Sequence, residues 1–453
     1  MPKIPQRTSY RDPSSTVRVE DGRLTRTFSP EGEEAFLSAH EAGVLAALVD
    51  DGLLVPYNVI TENRFEVQSE LIPFVSYPSE WSASMLRDAG ELTLEVARRL
   101  WADGYHLRDA SAYNVVFRGT DPVFVDLGSI GMGHTPLWVG YGQFCDHFLN
   151  PLLIETKLDI PFRELWTLEG VSVGTTSRLL KGRRSFGGGA FRNVKLRARL
   201  ESEYTDVDAS VRTSARRDLA LRPEQVDNIM AGLAGTLSSL NLRHVSHWSD
   251  YEATNSYNDA EEAERDRVIR GFCSRIETPL VGLDVGTNAG RHAAVMAELV
   301  ETVIALDADS SAIEIARARL SEGHSKSRIY PIVGDMANPT PGRGLMNEER
   351  SGLLERLENC DAVLWMAVIH HLAIGRSIPL AALADLAASI STNHLIEFVA
   401  PEDPMCQLLI ASKGGEIHPY SIEEFVSAFG ERFDVTQVGE AIEGRPIFDL
   451  QAR

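Results

Sequence analysis

A buried strand that runs directly into a tight, glycine-bounded turn limits what the second half of this chain can become. The segment VGLDVGTNAG (281–290) ends an apolar run, and a helical pattern follows at once. Gly286 and Gly290 have no Cβ, so the chain can turn sharply there and a ligand can approach its backbone. Asn288 stands between them, and Asn is the residue other than Gly that most readily adopts a positive φ. We expect a strand, a ligand-binding turn and a helix in that order.

Beyond this turn, apolar strands and helices alternate. The segments ETVIALDAD, RIYPIVGD, CDAVLWMAV and NHLIEFVA have the composition of strands, and helical segments separate them. Strand–helix alternation is typical of a parallel α/β sheet. The last two apolar segments, FDVTQVGE and RPIFDLQ, are expected to pair as a hairpin at the sheet edge. The predicted fold class for this half is therefore α/β and Rossmann-like.

Acidic residues stand where successive strands end. Asp307, followed by Ala308, comes about 20 residues after the turn, where an acid can bind ribose hydroxyls. The next strand ends at Asp335 beside Met336, in position to meet an adenine edge. Asp284, just before the turn, would repel a pyrophosphate, but it suits a sulfonium and an amino group. These residues favour S-adenosylmethionine over a dinucleotide.

The order DVGTNAG, LDAD, GDM and DAVLWMAVIHHL resembles the class I S-adenosylmethionine-dependent methyltransferases over residues 275–453. The resemblance implies a seven-stranded sheet and S-adenosyl-L-methionine as the cofactor. Another Rossmann-like nucleotide site and an empty scaffold stay open as alternatives. The cofactor-binding residues that it implies are Asp284, Gly286, Thr287, Asn288, Gly290, Asp307, Ala308, Asp335, Met336 and Met366.

Two histidines, His370 and His371, follow the fourth strand. In one interpretation they begin a helix and pack. In the other they are catalytic, with His371 as the general base for an acceptor that must lose a proton. Glu397 and Asp403 could join them in a metal site, as in some RNA-terminal methyltransferases, but nothing in the sequence sets that geometry and we expect no metal.

The first half carries a different motif. The segment LRDASAYN fits R-D-x-x-x-x-N, and VDLG follows with D-x-G. This is the order and approximate spacing of the catalytic and metal-binding loops of protein kinases. The resemblance covers about residues 20–135 and implies a kinase-like site of Asp109, Asn114 and Asp126.

The departures from an active kinase are substantial. In a kinase, a lysine in the small lobe pairs with the nucleotide phosphates and with a glutamate, and Glu41 is the glutamate expected here. This chain has no lysine between Lys3 and Lys157, so that lysine–glutamate pair cannot exist. Arg23 or Arg26 would substitute poorly, since a guanidinium does not replace a compact ammonium. Three interpretations remain: a degenerate domain that binds substrate or nucleotide, an active Mg-ATP phosphotransferase, and a purely structural part.

The segments RDASAYN, PVFVD and GQFCDHFLNPL, followed by a methyltransferase half, resemble a bacterial two-part methyltransferase family that includes nodulation-type proteins. The resemblance implies methyl transfer to an O, N or C nucleophile of a small-molecule or glycan-like acceptor. It also implies that the N-terminal domain helps to bind this acceptor, and it does not identify the acceptor or the oligomeric state.

The expected organisation is an arm (1–25), a kinase-like α+β domain with a helical extension (26–250) and the methyltransferase domain (251–453). The boundary is placed in a polar, acidic stretch near residue 250. The basic stretch 178–200 is read either as a solvated face or as a site for an anionic acceptor, with the glycines 187–189 as the hinge of a lid.

Composition restricts the partners. There are 44 Lys plus Arg against 65 Asp plus Glu, which gives a net charge of −21, so non-specific nucleic-acid binding is not expected. The four cysteines are widely spaced and predict neither a disulfide framework nor a zinc site. The N-terminus has no apolar signal region and no apolar run approaches the ~20 residues of a membrane span. We expect a cytoplasmic protein that needs no membrane.

Overall fold

A small antiparallel sheet opens the first half. The computed structural model describes residues 9, 11–20, 22–60, 65–187, 189–199, 221–242, 259–323 and 325–453. The four strands lie in the order β1-β2-β4-β3. They are β1 (Ser15–Glu20), β2 (Arg23–Phe28), β3 (Tyr57–Ile60) and β4 (Glu66–Ser69).

The prediction of an N-terminal arm over residues 1–25 is wrong for most of its described part. The alternation TVRVE there forms β1, which pairs with β2 along its whole length. Ser14 also donates from its Oγ to the carbonyl oxygen of Gly128 at 2.9 Å. The polar composition concealed this strand because only one of its faces is covered.

Two helices follow strand β2. Gly43 adopts φ 77° and separates α1 (Pro30–Glu41) from α2 (Val44–Asp50). The next helix, α3 (Ala83–Ala102), ends two residues before Gly104, whose φ is 85°.

Short strands and helices complete the first half. They are β5 (Tyr105–Leu107), β6 (Val115–Arg118), β7 (Asp121–Phe124), β8 (Ile130–Met132), α4 (Tyr141–Phe144), α5 (Asn150–Leu158), α6 (Val173–Leu179) and α7 (Pro223–Ser238). Strand β5 pairs with β8 and β6 with β7, and α7 packs on α3. A π-helical turn, Cys145–Leu149, joins α4 to α5. The predicted boundary near residue 250 and Gly188 lie outside the described residues.

A seven-stranded sheet in the order β11-β10-β9-β12-β13-β15-β14 forms the second half. Its first five strands in the chain are parallel, and β14 and β15 form the antiparallel edge hairpin that the sequence predicted. The Rossmann-like α/β class is confirmed. The strands are β9 (Val281–Val285), β10 (Thr302–Asp307), β11 (Ile329–Val333), β12 (Ala362–Met366), β13 (Asn393–Glu397), β14 (Phe433–Ile442) and β15 (Arg445–Ala452).

Helices cover both faces of this sheet. They are α8 (Asp259–Arg275), α9 (Arg291–Met296), α10 (Ser310–Ser321), α11 (Leu353–Leu357), α12 (Leu380–Ile390), α13 (Pro404–Ser412) and α14 (Ile422–Gly430). No helix in the described ranges combines the length and apolar character that crossing a bilayer requires.

The two halves share hydrophobic surface. Ile72 and Phe74 of the first half belong to the same buried cluster as Ile332 and Tyr330 of the sheet, and the rings of Phe74 and Tyr330 lie 6.1 Å apart. The backbones also meet, since a Cβ on Gly119 would lie 1.8 Å from the carbonyl oxygen of Lys326. The halves are therefore packed as closely as parts of one core.

A buried ion pair crosses this interface. Arg356 of α11 pairs with Glu80, and their side chains are 4% and 0% exposed. Arg356 also donates to the carbonyl oxygen of Val75 at 2.8 Å. Two charges removed from water in this way need each other, because either one alone would pay a large desolvation cost.

We expect the substitution Glu80→Gln to lower the free energy of unfolding by about 3–5 kcal/mol, because it leaves the Arg356 charge buried and uncompensated. Urea denaturation followed by tryptophan fluorescence measures this. Arg99→Ala is the matched control: it breaks an exposed pair with Asp51 and should cost less than about 1 kcal/mol. Equal losses of unfolding free energy in the two variants would contradict a special role for the buried Glu80–Arg356 pair.

Candidate functional site

A cavity of about 640 Å³ lies at the carboxyl ends of the parallel strands. The strand order reverses at β9, which has β10 on one side and β12 on the other. Ligands of open α/β sheets bind in the crevice at such a reversal. Of the ten predicted cofactor residues, eight line this cavity: Gly286, Thr287, Asn288, Asp307, Ala308, Asp335, Met336 and Met366. Gly290 and Asp284 do not line it, although Ala289 and Arg291, on either side of Gly290, do.

The turn after β9 has the conformation that the sequence predicts. Gly286, Asn288 and Gly290 have φ values of 70°, 48° and 79°. A Cβ on Gly286 would lie 2.6 Å from a methyl carbon of Val368, and one on Gly290 would lie 3.0 Å from Leu320. The glycines are therefore required by the backbone angles and by packing, in addition to any ligand.

Asp307 connects this turn to the end of β10. Its Oδ2 accepts a hydrogen bond from the backbone N–H of Asn288 and its Oδ1 one from that of Asp309, both at 2.9 Å. Burial raises the pKa of Asp307, and these backbone bonds oppose the rise. A carboxylate has about four acceptor sites, so capacity remains on both oxygens for a ligand with two neighbouring hydroxyls.

Asp335 is held less tightly. Its Oδ1 accepts from the backbone N–H of Ala337 at 2.8 Å, and its Oδ2 accepts from Arg376 at 2.7 Å. Arg376 is 59% exposed and was not singled out by the sequence, because a lone surface arginine carries no motif. A ligand amine at Asp335 would share Oδ2 with this guanidinium.

Asp284 does not lie on the cavity wall. It is fully buried beneath the turn, where its Oδ2 accepts from the Thr287 hydroxyl at 2.7 Å. Its Oδ1 has no hydrogen-bond partner among the described residues. Burial raises the pKa of Asp284 to about 7. The expectation of direct contact between this acid and a bound ligand is therefore wrong.

The two histidines do reach the cavity. The rings of His370 and His371 lie 4.0 Å apart, and both residues line the wall. Burial lowers the pKa of both, and well below the usual value for His370. His370 Nδ1 is buried and has no hydrogen-bond partner within the described part of the chain. Both rings are thus neutral near pH 7, the state in which an imidazole can accept a proton.

The acids that were considered as metal ligands are occupied. Arg265 donates to both oxygens of Glu397 at 2.8–2.9 Å, with both side chains buried. Asp403 accepts from Arg445 at 2.7 Å. In the ranges that the structure describes, no group of three potential metal ligands is found. The hypothesis that these acids join the histidines around a metal does not fit this geometry.

A second cavity, of about 430 Å³, lies in the first half. Asp109, Asn114 and Asp126 all line it, so the folding of the chain brings the three predicted residues together. Asn114 donates from its side chain to the carbonyl oxygen of Asp109 at 3.1 Å. Burial raises the pKa of Asp109, and the neighbouring charge of Asp126 adds to the rise.

Arg26 of β2 points into this second cavity. Its guanidinium lies 2.7 Å from Asp126 Oδ1 and 2.7 Å from the hydroxyl of Ser15, and it is 6% exposed. Glu41, the expected partner of a phosphate-binding cation, is exposed at the end of α1. The pairing of Glu41 with a phosphate-binding lysine is absent, as the sequence analysis expected, and the buried cation Arg26 binds Asp126.

Residues of the second half complete the same cavity. Glu349, Arg350 and Arg356 all line it. The Arg350 guanidinium lies 4.7 Å from the centre of the Tyr113 ring, and Arg11 forms an ion pair with Glu349 at 2.8 Å. Sequence reasoning missed these residues because they are more than 200 positions away from the motif that they cover.

The chain is similar to the nodulation protein NoeA of Rhizobium meliloti strain 1021. The two are 31% identical over 439 residues, which span 94% of this chain and 91% of that protein. No family model matches the chain.

Solved structures match it more weakly. The structure of WbdD is 16% identical over 46% of this chain and 43% of its own, with a TM-score of 0.33, so this chain spans less than half of WbdD. N-methyltransferase NodS from Bradyrhizobium japonicum WM9, in complex with S-adenosyl-L-homocysteine, is 15% identical over 45% of this chain and 97% of its own, with a TM-score of 0.32.

The raised pKa of Asp284 predicts a specific pH dependence. The Asp284 carboxyl keeps its proton up to about pH 7 in the folded state, whereas in the unfolded chain it loses the proton near pH 4. The protonated carboxyl therefore contributes its full stability to the folded state below about pH 4, and this stability is lost as the pH rises toward about 7. Asp284→Asn removes the ionisation and keeps an acceptor for Thr287. We expect the variant to lose less thermal stability than the parent protein across this window, measured by melting temperature.

Asp434→Asn, at a position that is 74% exposed, is the matched control and should leave the pH profile unchanged. Parallel profiles for the parent protein and Asp284→Asn would show that Asp284 is ionised throughout.

Proposed function

This chain belongs to the family of the nodulation protein NoeA, and we propose that it is a methyltransferase that takes its methyl group from S-adenosylmethionine. The acceptor is an O, N or C nucleophile of a small molecule or glycan-like compound. The proposal concerns the cavity at the carboxyl ends of the sheet, and it extends to the first half only as a contributor to acceptor binding.

The observation that carries the proposal is the position of Asp307. This carboxylate lines a cavity of about 640 Å³ and stands beside a turn in which Gly286, Asn288 and Gly290 have positive φ values. Two backbone donors already orient it, so it can accept two further hydrogen bonds without reorganising. This arrangement suits the vicinal hydroxyls of a ribose.

The remaining wall also fits the cofactor. Met336 and Met366 provide apolar surface for a flat base, and the buried nitrogens His370 Nδ1 and His292 Nε2 have no hydrogen-bond partner in the described ranges. Unpaired buried polar atoms beside a cavity indicate a missing partner. S-adenosylmethionine would supply a methyl group on a positively charged sulfur for direct displacement.

The protein's part in such a reaction is mainly alignment. The turn from Gly286 to Gly290 lets a ligand approach the backbone, and Asp307 sets its register. His371 is proposed as the base for an acceptor that must lose a proton, with His370 as its neighbour. Burial lowers the pKa of His371, so it would act as a weak base in its neutral form.

We further propose that the first half binds acceptor and does not transfer phosphate. A kinase would use the carboxylate at the position of Asp126 to bind Mg²⁺. Here Arg26 forms an ion pair with that carboxylate, and its positive charge would repel a divalent cation. The segment from β11 to α11 supports a shared role, because Asp335 and Met336 at its start line one cavity while Glu349 and Arg350 line the other.

Asp307→Ala should weaken the binding of S-adenosylhomocysteine by about 10–100-fold, because two hydrogen bonds to a charged acceptor are lost. Isothermal titration calorimetry measures this directly. Asp434→Ala, at an exposed acid far along the sheet edge, is the control and should bind like the parent protein.

Unchanged affinity in Asp307→Ala would remove the ribose assignment. Failure of the parent protein itself to bind S-adenosylhomocysteine would favour the non-catalytic scaffold over the enzyme.

The rival function in the first half has its own test. We expect Mg-ATP to leave the melting temperature unchanged relative to ATP in excess chelator, because Arg26 excludes the metal from Asp126. A Mg²⁺-dependent rise in melting temperature that Asp126→Asn abolishes would instead support a phosphotransferase. Radiolabelled ATP would then reveal any phosphate transfer.

A further inference from the structure

One surface segment has a charge opposite to that of the whole chain. Between residues 178 and 199 there are eight Lys or Arg and no Asp or Glu, while the chain carries a net charge of −21. We call the described residues 178–187 and 189–199 the basic segment. Its exposed cations are Arg178, Lys181, Arg183, Arg184, Arg192 and Arg199.

Large apolar side chains are exposed on the same segment. Phe186 and Phe191 are 61% and 53% exposed, and their rings are stacked with centres 5.5 Å apart. Leu179 and Leu196 are also exposed. Water solvates such side chains poorly, so their concentration among cations indicates an interaction surface.

The basic segment is fixed to the body of the protein. Arg197 forms an ion pair with Asp146 at 3.0 Å, and Lys195 donates to the carbonyl oxygen of Ser177. On its inner side three apolar residues are fully buried, namely Leu180, Ala190 and Val194. The outward cations and aromatic rings are therefore displayed on an anchored support.

The two cavities do not use this surface. No residue of the basic segment lines either of the cavities described above, so it is separate from the proposed methyl-transfer site. A small anion would satisfy the cations and leave the phenylalanines in water. An anionic bilayer satisfies both, since its headgroups bind the cations and its acyl boundary takes the rings.

We propose that the basic segment docks the protein on an anionic lipid bilayer. The acidic remainder of the surface is repelled by the same lipids, so the segment also sets the orientation of the protein. The sequence expectation of no membrane partner came from the lack of a spanning helix, and surface docking requires none. The proposal does not depend on the chemistry proposed for the cavity.

Co-sedimentation of the full-length protein with vesicles tests the proposal. Vesicles of phosphatidylcholine with added phosphatidylglycerol should bind at least about tenfold more protein than phosphatidylcholine alone, and added salt should release it. The double variants Phe186→Ser/Phe191→Ser and Arg183→Glu/Arg184→Glu should each lose most of this binding. All four positions are exposed, and unchanged melting temperatures would verify the fold.

Matched controls come from elsewhere on the surface. Leu408→Ser and Arg453→Glu alter an exposed apolar residue and an exposed cation outside the segment, and they should bind as the parent protein does. Equal binding to neutral vesicles, or no binding to anionic vesicles at low salt, would overturn the proposal. So would binding that the arginine variant abolishes and the phenylalanine variant leaves intact, which indicates a polyanion without a bilayer.

Discussion

The Asp307 carboxylate fixes the backbone at the ends of two neighbouring strands in the second half. One oxygen holds the backbone of Asn288 in the turn after β9, and the other holds Asp309, which begins the helix after β10. Two neighbouring strand ends are thereby joined through one side chain. The same carboxylate lines the cavity, so the proposed ribose site and the local backbone order share a single group.

The interface between the halves is likewise held by a few buried polar side chains. Glu314 of α10 accepts hydrogen bonds from the backbone N–H of Ser84 at 2.8 Å and from its hydroxyl, and Arg317, one turn later, pairs with Asp88. Together with the buried ion pair between Glu80 and Arg356 of α11, these contacts hold the first half against the second. A ligand in either cavity therefore meets a common rigid framework instead of two independent domains.

Sequence reasoning succeeded where the signal was local. The turn, the end of β10 at Asp307 and the pairing of the last two strands follow from residue types at short spacing, and β11 ends at Val333, two residues before the predicted Asp335. It failed for β1, whose polar alternation was read as an arm, and for Asp284, whose depth beneath the turn depends on packing. The contribution of Arg350 to the second cavity joins positions more than 200 residues apart, and no short pattern encodes such a contact.

The Arg26–Asp126 ion pair shows how one neighbouring cation can change the chemistry that a motif supports. The sequence alone places Asp109, Asn114 and Asp126 in the order used for metal-dependent phosphate transfer. In the folded chain a buried guanidinium lies 2.7 Å from Asp126, and a divalent cation would have to displace it and leave Arg26 uncompensated in a buried site. Losing such a pair is costly, so Asp126 stands here as an ion-paired residue in the wall of the second cavity.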